Sequence, residues 1–140
     1  MDRILVCLDA SPRATGVLAT ATDLARRAGG KLILFRAVGI PLEIPHEAYS
    51  MSPAALAEML EADALKHVNL LAATVPEALL IEAIVETGNP WQTICRVANE
   101  KKCDLIMIGS HGYSGLDKLM GTTAAKVVNH ATQSVLVVRH

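Results

Sequence analysis

The sequence predicts a doubly wound α/β domain, a parallel sheet with helices on both faces. Three observations carry this. Five short apolar runs alternate with four stretches of helical spacing, and such alternation implies parallel strands joined by right-handed crossovers. The runs at Leu105-Ile106-Met107-Ile108 and Val135 to Val138 are apolar at consecutive positions, as in strands buried on both faces. Glycine or polar clusters follow four of the runs: Asp9-Ala10-Ser11, Gly39, Thr87-Gly88-Asn89 and Gly109-Ser110-His111-Gly112. Doubly wound sheets bind ligands at that carboxyl end. The 140 residues suit one domain, 1–140, with one core.

Arg3 to Leu8 (RILVCL) reads as the first strand. Ser11-Pro12 then signals a helix start, with Ser as N-cap and Pro at the first helical position. From Arg13 to Ala28, the residues Val17, Leu18, Ala21, Leu24, Ala25 and Ala28 recur at three-to-four spacing, and Gly29-Gly30 ends the helix. Lys31 to Val38 is the second strand. Gly39 to Met51 is the long irregular stretch, with two prolines. It is either a ligand-covering lid or a variable surface loop.

Ser52-Pro53 repeats the cap signal and opens a helix to about Ala73. Leu56, Met59, Leu60, Ala64, Leu65, Val68 and Leu71 give it a broad apolar stripe. Leu79 to Glu86 is the third strand, with Glu82 outward or near an edge. Asn89 caps a short helix, Trp91 to Lys101, with Ile94, Val97 and Ala98 inward. The fourth strand, a glycine loop, a helix from about Thr122 to His130 and the fifth strand complete the chain.

Composition excludes several classes. Half the residues are apolar, and the formal net charge is −1, which argues against a general nucleic-acid binder with its basic face. No apolar run approaches the ~20 residues of a membrane span. The N-terminus enters a strand directly, so no signal peptide and a cytoplasmic location are expected. Cys7, Cys95 and Cys103 lack metal-ligand spacing, and the five histidines form no HExxH-like pair, so no metal site is expected from them.

The loop after the fourth strand carries Gly109, Gly112, Gly115 and Gly121, interleaved with serines and threonines. Glycines let backbone N–H groups approach an anion, and a helix start adds unpaired donors and partial positive charge. Thr122 and Thr123 add hydroxyls there. Two readings are open: a phosphate cradle, or turns and caps alone.

MDRILVCLDASPRA, ETGNPWQTI and DLIMIGSHGYSGLDKLMGTTAAKVVNHATQSVLVVR together resemble the universal stress protein (UspA-like) family, over essentially the whole chain. The resemblance implies a five-stranded parallel sheet of order 3-2-1-4-5. It also implies a dimer joined through the last strands, and, in one branch, ATP held by a G-x2-G-x9-G-[ST] loop. Gly109, Gly112, Gly121 and Thr122 match that loop, with eight residues between Gly112 and Gly121 rather than nine. Either the turn is tightened with the cradle intact, or Gly121-Thr122 are displaced and phosphate affinity falls.

The resemblance implies further contacts. Asp9 matches an acidic residue near the ribose or the Mg²⁺-bound phosphates, within the segment Cys7-Leu8-Asp9-Ala10-Ser11. Val38 matches the apolar residue beside adenine. Gly88-Asn89-Pro90 matches a turn flanking the pocket. Met107 and Ile108 wall the base side, and Ser134-Val135 close it. His111 could hydrogen-bond a phosphate, and Thr123 adds a hydroxyl at the helix start.

The expectation is therefore a nucleotide-binding stress-response module, taking ATP and Mg²⁺, with slow or no turnover. No P-loop GxxxxGK[ST] occurs, and only Asp9 and His111 offer themselves as bases for a hydrolase or transferase. The alternative is a dimeric stress protein acting through protein contacts without nucleotide. An apolar terminal strand, Ser134 to Arg139, is a pairing edge, and a second copy is its simplest cover.

Overall fold

The computed structural model describes residues 1–39, 50–110 and 122–139. Its elements are β1 (Arg3–Cys7), α1 (Ala14–Ala28), β2 (Lys31–Val38), α2 (Pro53–Ala72), a 3₁₀ turn (Glu77–Leu79), β3 (Leu80–Thr87), α3 (Pro90–Glu100), β4 (Leu105–Gly109), α4 (Thr123–His130) and β5 (Ser134–Val138). The strands form one sheet of order β3-β2-β1-β4-β5. Every pairing is parallel. The 3-2-1-4-5 expectation is thus met. Most of the irregular stretch after β2, residues 40–49, lies outside the described residues.

The central strand shows why the apolar runs are continuous. Ile4, Leu5 and Val6 of β1 are fully buried, because both faces of a parallel sheet are covered by helices. Side chains alternate between two cores. Ile4, Val6, Leu34 and Met107 pack with Val17, Leu18 and Ala21 of α1 and Val68 of α2. Leu5, Cys7, Phe35, Ile106 and Ile108 pack with Ile94 and Val97 of α3 and Val127 of α4. Helices α1 and α2 therefore cover one face, and α3 and α4 the other.

Two local expectations change. α1 begins at Ala14, three residues after Ser11, and Arg13 occupies its N-cap position. Ser11 still caps in effect: its carbonyl accepts from the Ala14 N–H at 3.1 Å and its Oγ from the Arg13 N–H at 3.2 Å. Its own N–H and hydroxyl are drawn back to Asp9, so the chain turns before the helix can start. On α2 the apolar stripe is narrower than expected. Leu56, Ala64 and Val68 are buried, whereas Met59 and Leu65 are exposed. The Ser52 cap is as expected, its Oγ accepting from the Ala55 N–H at 3.1 Å.

Edge strand β3 is strapped to the α3 face by ion pairs. Arg96 binds Glu86 and, at 3.0 Å, Glu100; Lys101 binds Glu82 at 3.1 Å. The opposite edge, β5, leaves Leu136 exposed, and Val128 of α4 lies exposed as well. Among the described residues no helix is long and apolar enough to cross a membrane.

Candidate functional site

Strand ends build the site. Beyond Cys7 the chain continues through Leu8, whose N–H donates to the Phe35 carbonyl at 2.8 Å. Asp9 is thereby placed just past the carboxyl end of the middle strand. Asp9 Oδ1 accepts from the Ser11 N–H at 2.9 Å and the Ser11 hydroxyl at 2.6 Å. This short side-chain turn fixes the carboxylate.

A first cavity, about 80 Å³, opens on the α3/α4 side of these strand ends. Its polar rim is Asp9 with Thr122 and Thr123 at the start of α4; its apolar part is Ala37, Pro90, Ile94 and Ile108. Cys7, Leu8, Gly109 and Ala124 complete the lining. Thr122 is the N-cap of α4, its Oγ1 accepting from the Ala125 N–H at 3.2 Å. The first-turn N–H groups of α4 stand at this rim, with the positive end of the helix.

The β3–α3 turn forms another wall. Gly88 has φ +156°, and a Cβ there would stand 3.1 Å from Thr93 Cγ2. Thr93, itself buried, donates its hydroxyl to the Asn89 carbonyl, with a longer approach of 3.2 Å to the Pro90 carbonyl. Asn89 Oδ1 accepts from the Gln92 N–H at 3.4 Å. This brings Pro90 to the cavity.

A second cavity, about 350 Å³, lies on the α1/α2 side. It shares Asp9 and Ala37 with the first and adds Ala10, Val38 and residues of α2.

Sequence-predicted residues divide accordingly. Cys7, Leu8, Asp9, Gly109, Thr122 and Thr123 meet at the first cavity. Ala10 and Val38 border the second. Ser11 holds Asp9, and Gly88 shapes the turn leading to Pro90. Other predicted residues stand away from the first cavity. Met107 is fully buried in the α1/α2 core, because its neighbour Ile108 takes the cavity-facing parity. Ser134 and Val135 pair with Leu105 and Ile106, at the amino end of β4, and the cavities lie beyond the carboxyl ends. Val38 likewise points to the α1/α2 face, and Ala37 is the β2 residue at the first cavity. His111, Gly112 and Gly121 lie outside the described residues.

Burial pushes the Cys7 thiol far up, and the neighbouring Cys95 and Cys103 add to this, so Cys7 is no nucleophile. Among the described residues no group of three or more His, Cys, Asp or Glu side chains could hold a metal ion alone. A helix start and two threonines at one end, and an apolar slot at the other, suit a ligand with an anionic end and a flat apolar body.

Comparison with known proteins agrees with this architecture. The model of the universal stress protein family matches residues 1–139. A universal stress protein of Synechocystis is 34% identical over 139 residues, covering 96% of this chain and 83% of that protein. The structure of UspA from Lactobacillus plantarum has a TM-score of 0.74 and 27% identity, covering 99% and 97% of the two chains. Two further neighbours were solved with nucleotides. A universal stress protein in complex with cAMP has a TM-score of 0.64 and 23% identity, covering 98% and 96% of the two chains. One from Archaeoglobus fulgidus in complex with dAMP has 0.59 and 21%, covering 98% and 97%. At those identities they show the fold alone. The chain belongs to the universal stress protein family.

Proposed function

We propose that this chain is a stress-response module that binds an adenine nucleotide, ATP with Mg²⁺, in the first cavity. The observation that carries the reading is the facing of Asp9 and the α4 start, with Thr122 and Thr123, across an apolar slot. The α4 N–H groups would hold phosphate oxygens. Ala37, Pro90, Ile94 and Ile108 would take the base. Asp9 Oδ1 is occupied by Ser11, which leaves Oδ2 for the nucleotide's magnesium; Mg²⁺ takes one or two carboxylates alongside phosphate oxygens. Magnesium would supply charge neutralisation of the phosphates. The cAMP and dAMP complexes of two fold neighbours support an adenine ligand.

Slow or no turnover is part of the reading. Among the described residues at the cavity, the Asp9 carboxylate is the one candidate base, and half of it is committed to holding the β1–α1 turn. The protein would work in the cytoplasm as a homodimer through β5, whose outer edge and exposed Leu136 suit a second copy. Binding is tested by identifying any nucleotide released on denaturing purified protein, and by calorimetry with Mg-ATP. Heat of binding with saturation at one nucleotide per chain is expected. Absence of both released nucleotide and heat at millimolar ligand leaves the second reading, a dimer acting through protein contacts, which the apolar β5 edge favours on its own.

A further inference from the structure

We infer that the amino end of the sheet, remote from both cavities, has a built-in site for an internal water molecule, which bridges Arg3 Nε of β1 and Gln133 Oε1 at the entry to β5. Among the described residues these are the two buried side-chain polar atoms without a hydrogen-bond partner. One is a donor and the other an acceptor. Buried polar atoms are almost always paired, with protein or with ordered water, so each of the two calls for a partner.

The sheet brings them to one place. Ile4 pairs with Leu105, and Leu105 with Ser134. One residue earlier, Arg3, Asp104 and Gln133 share a level, and the Asp104 N–H donates to the Arg3 carbonyl at 3.0 Å. Side chains alternate along a strand. Arg3 has the parity of Leu5, and Gln133 that of Val135, both of which pack on the α3/α4 face. Neighbouring strands are ~4.8 Å apart, and an arginine and a glutamine can close two such intervals from either side. Asp104 stands between them without blocking the gap. Its carboxylate is turned to the Asp2 N–H at 2.8 Å and the Arg3 N–H at 3.3 Å.

The end of α3 holds both side chains. Gln133 Nε2 donates to Asn99 Oδ1 at 2.6 Å, which leaves Oε1 as the free end of the amide. Burial pushes the Cys103 thiol up while the Arg3 guanidinium draws it down, so Arg3 lies against the same α3–β4 connection. Water fits this pair of atoms: it accepts from Nε–H and donates to Oε1 at once. An anion would satisfy Arg3 and face the Gln133 oxygen. The Cys103 thiol offers the weak third contact that an internal water usually finds. The bridge ties β5, an edge strand paired with β4, to the central strand β1.

The test is NMR of the full chain in solution. The Arg3 Nε–H is expected to show a rotating-frame cross-peak to water, opposite in sign to proton exchange, with the laboratory-frame NOE of a long-held water. Gln133→Met, which removes the acceptor, should abolish both peaks and leave the circular dichroism spectrum unchanged. Lack of a long-held water at Arg3 Nε–H in the wild-type protein overturns the inference. So does a peak that survives in Gln133→Met, because Gln133 would then not hold the water. A saturable shift of Arg3 Nε with bromide, in place of the water peak, would make this an anion site and overturn it as well. No nucleotide enters these measurements, so the result is independent of ATP binding.

Discussion

Glu61 Oε1 accepts two hydrogen bonds from Thr87, one from its N–H at 3.0 Å and one from its hydroxyl at 2.7 Å. This partly buried contact ties α2 to the last residue of β3, immediately before the Gly88 turn. Glu61→Ala removes the acceptor and leaves both donors in a partly buried place, at an expected cost of about 1–3 kcal/mol. Thr87→Val, which spares the N–H bond, should cost less. The two losses should sum to more than that of the double variant, because the residues share one contact. Urea unfolding of the three variants checks this.

The turn held by that contact is intolerant of a side chain. Gly88 sits at φ +156° with Thr93 Cγ2 3.1 Å from any added Cβ. Gly88→Ala combines backbone strain with a tight contact, and should lower stability by about 1–3 kcal/mol. Gly88→Ala/Thr93→Ser removes the methyl but keeps the hydroxyl, and should recover the contact part only. Thermal melts of both variants separate the two contributions.

Thiol reactivity should follow burial. Cys7 and Cys103 are buried and Cys95 is half-buried. Burial raises the pKa of all three, and the thiolate is the reactive form. Iodoacetamide on native protein should modify Cys95 first and Cys7 last, read by peptide mass spectrometry. The same shifts set a pH dependence. An unfolded thiol ionises near its ordinary pKa of 9.0 while Cys7 stays neutral in the fold. Their contribution to stability is complete below that pH and falls as pH rises above it. Cys7→Ala should flatten this alkaline decline.

Much of the fold was legible in the sequence. The strand and helix order followed from periodicity, because each apolar run matched a strand; β1, β2 and β4 are buried, whereas the edge strands β3 and β5 are only partly covered. Sheet order came with the resemblance. Asp9, Gly109, Thr122 and Thr123, which line the first cavity, carry local sequence signals: strand-end polar groups and a helix start. Val38 and Met107 face the α1/α2 side, whereas Ala37 and Ile108, one residue away on the same strands, line the first cavity. Strand side chains alternate, so an error of one residue moves a side chain through the sheet to the other face. Ser134-Val135 follow α4 closely in sequence, but a parallel strand starts at the end of the sheet remote from the cavities.

The β5 edge supplies a prediction for the proposed homodimer. Leu136 is exposed on that strand, and an uncovered apolar edge invites pairing. Leu136→Lys should shift the protein to monomer in sedimentation velocity while leaving its circular dichroism spectrum unchanged. A wild-type protein that already sediments as a monomer would remove the dimer from the account.

The most direct measurement is a methyl-NMR titration of the full chain with Mg-ATP. The account predicts saturable shifts at Ala37, Ile94, Ile108 and Ala124, which line the first cavity, with Leu136 and Val128 unmoved. Saturating Mg-ATP that leaves those four methyls in place would contradict it.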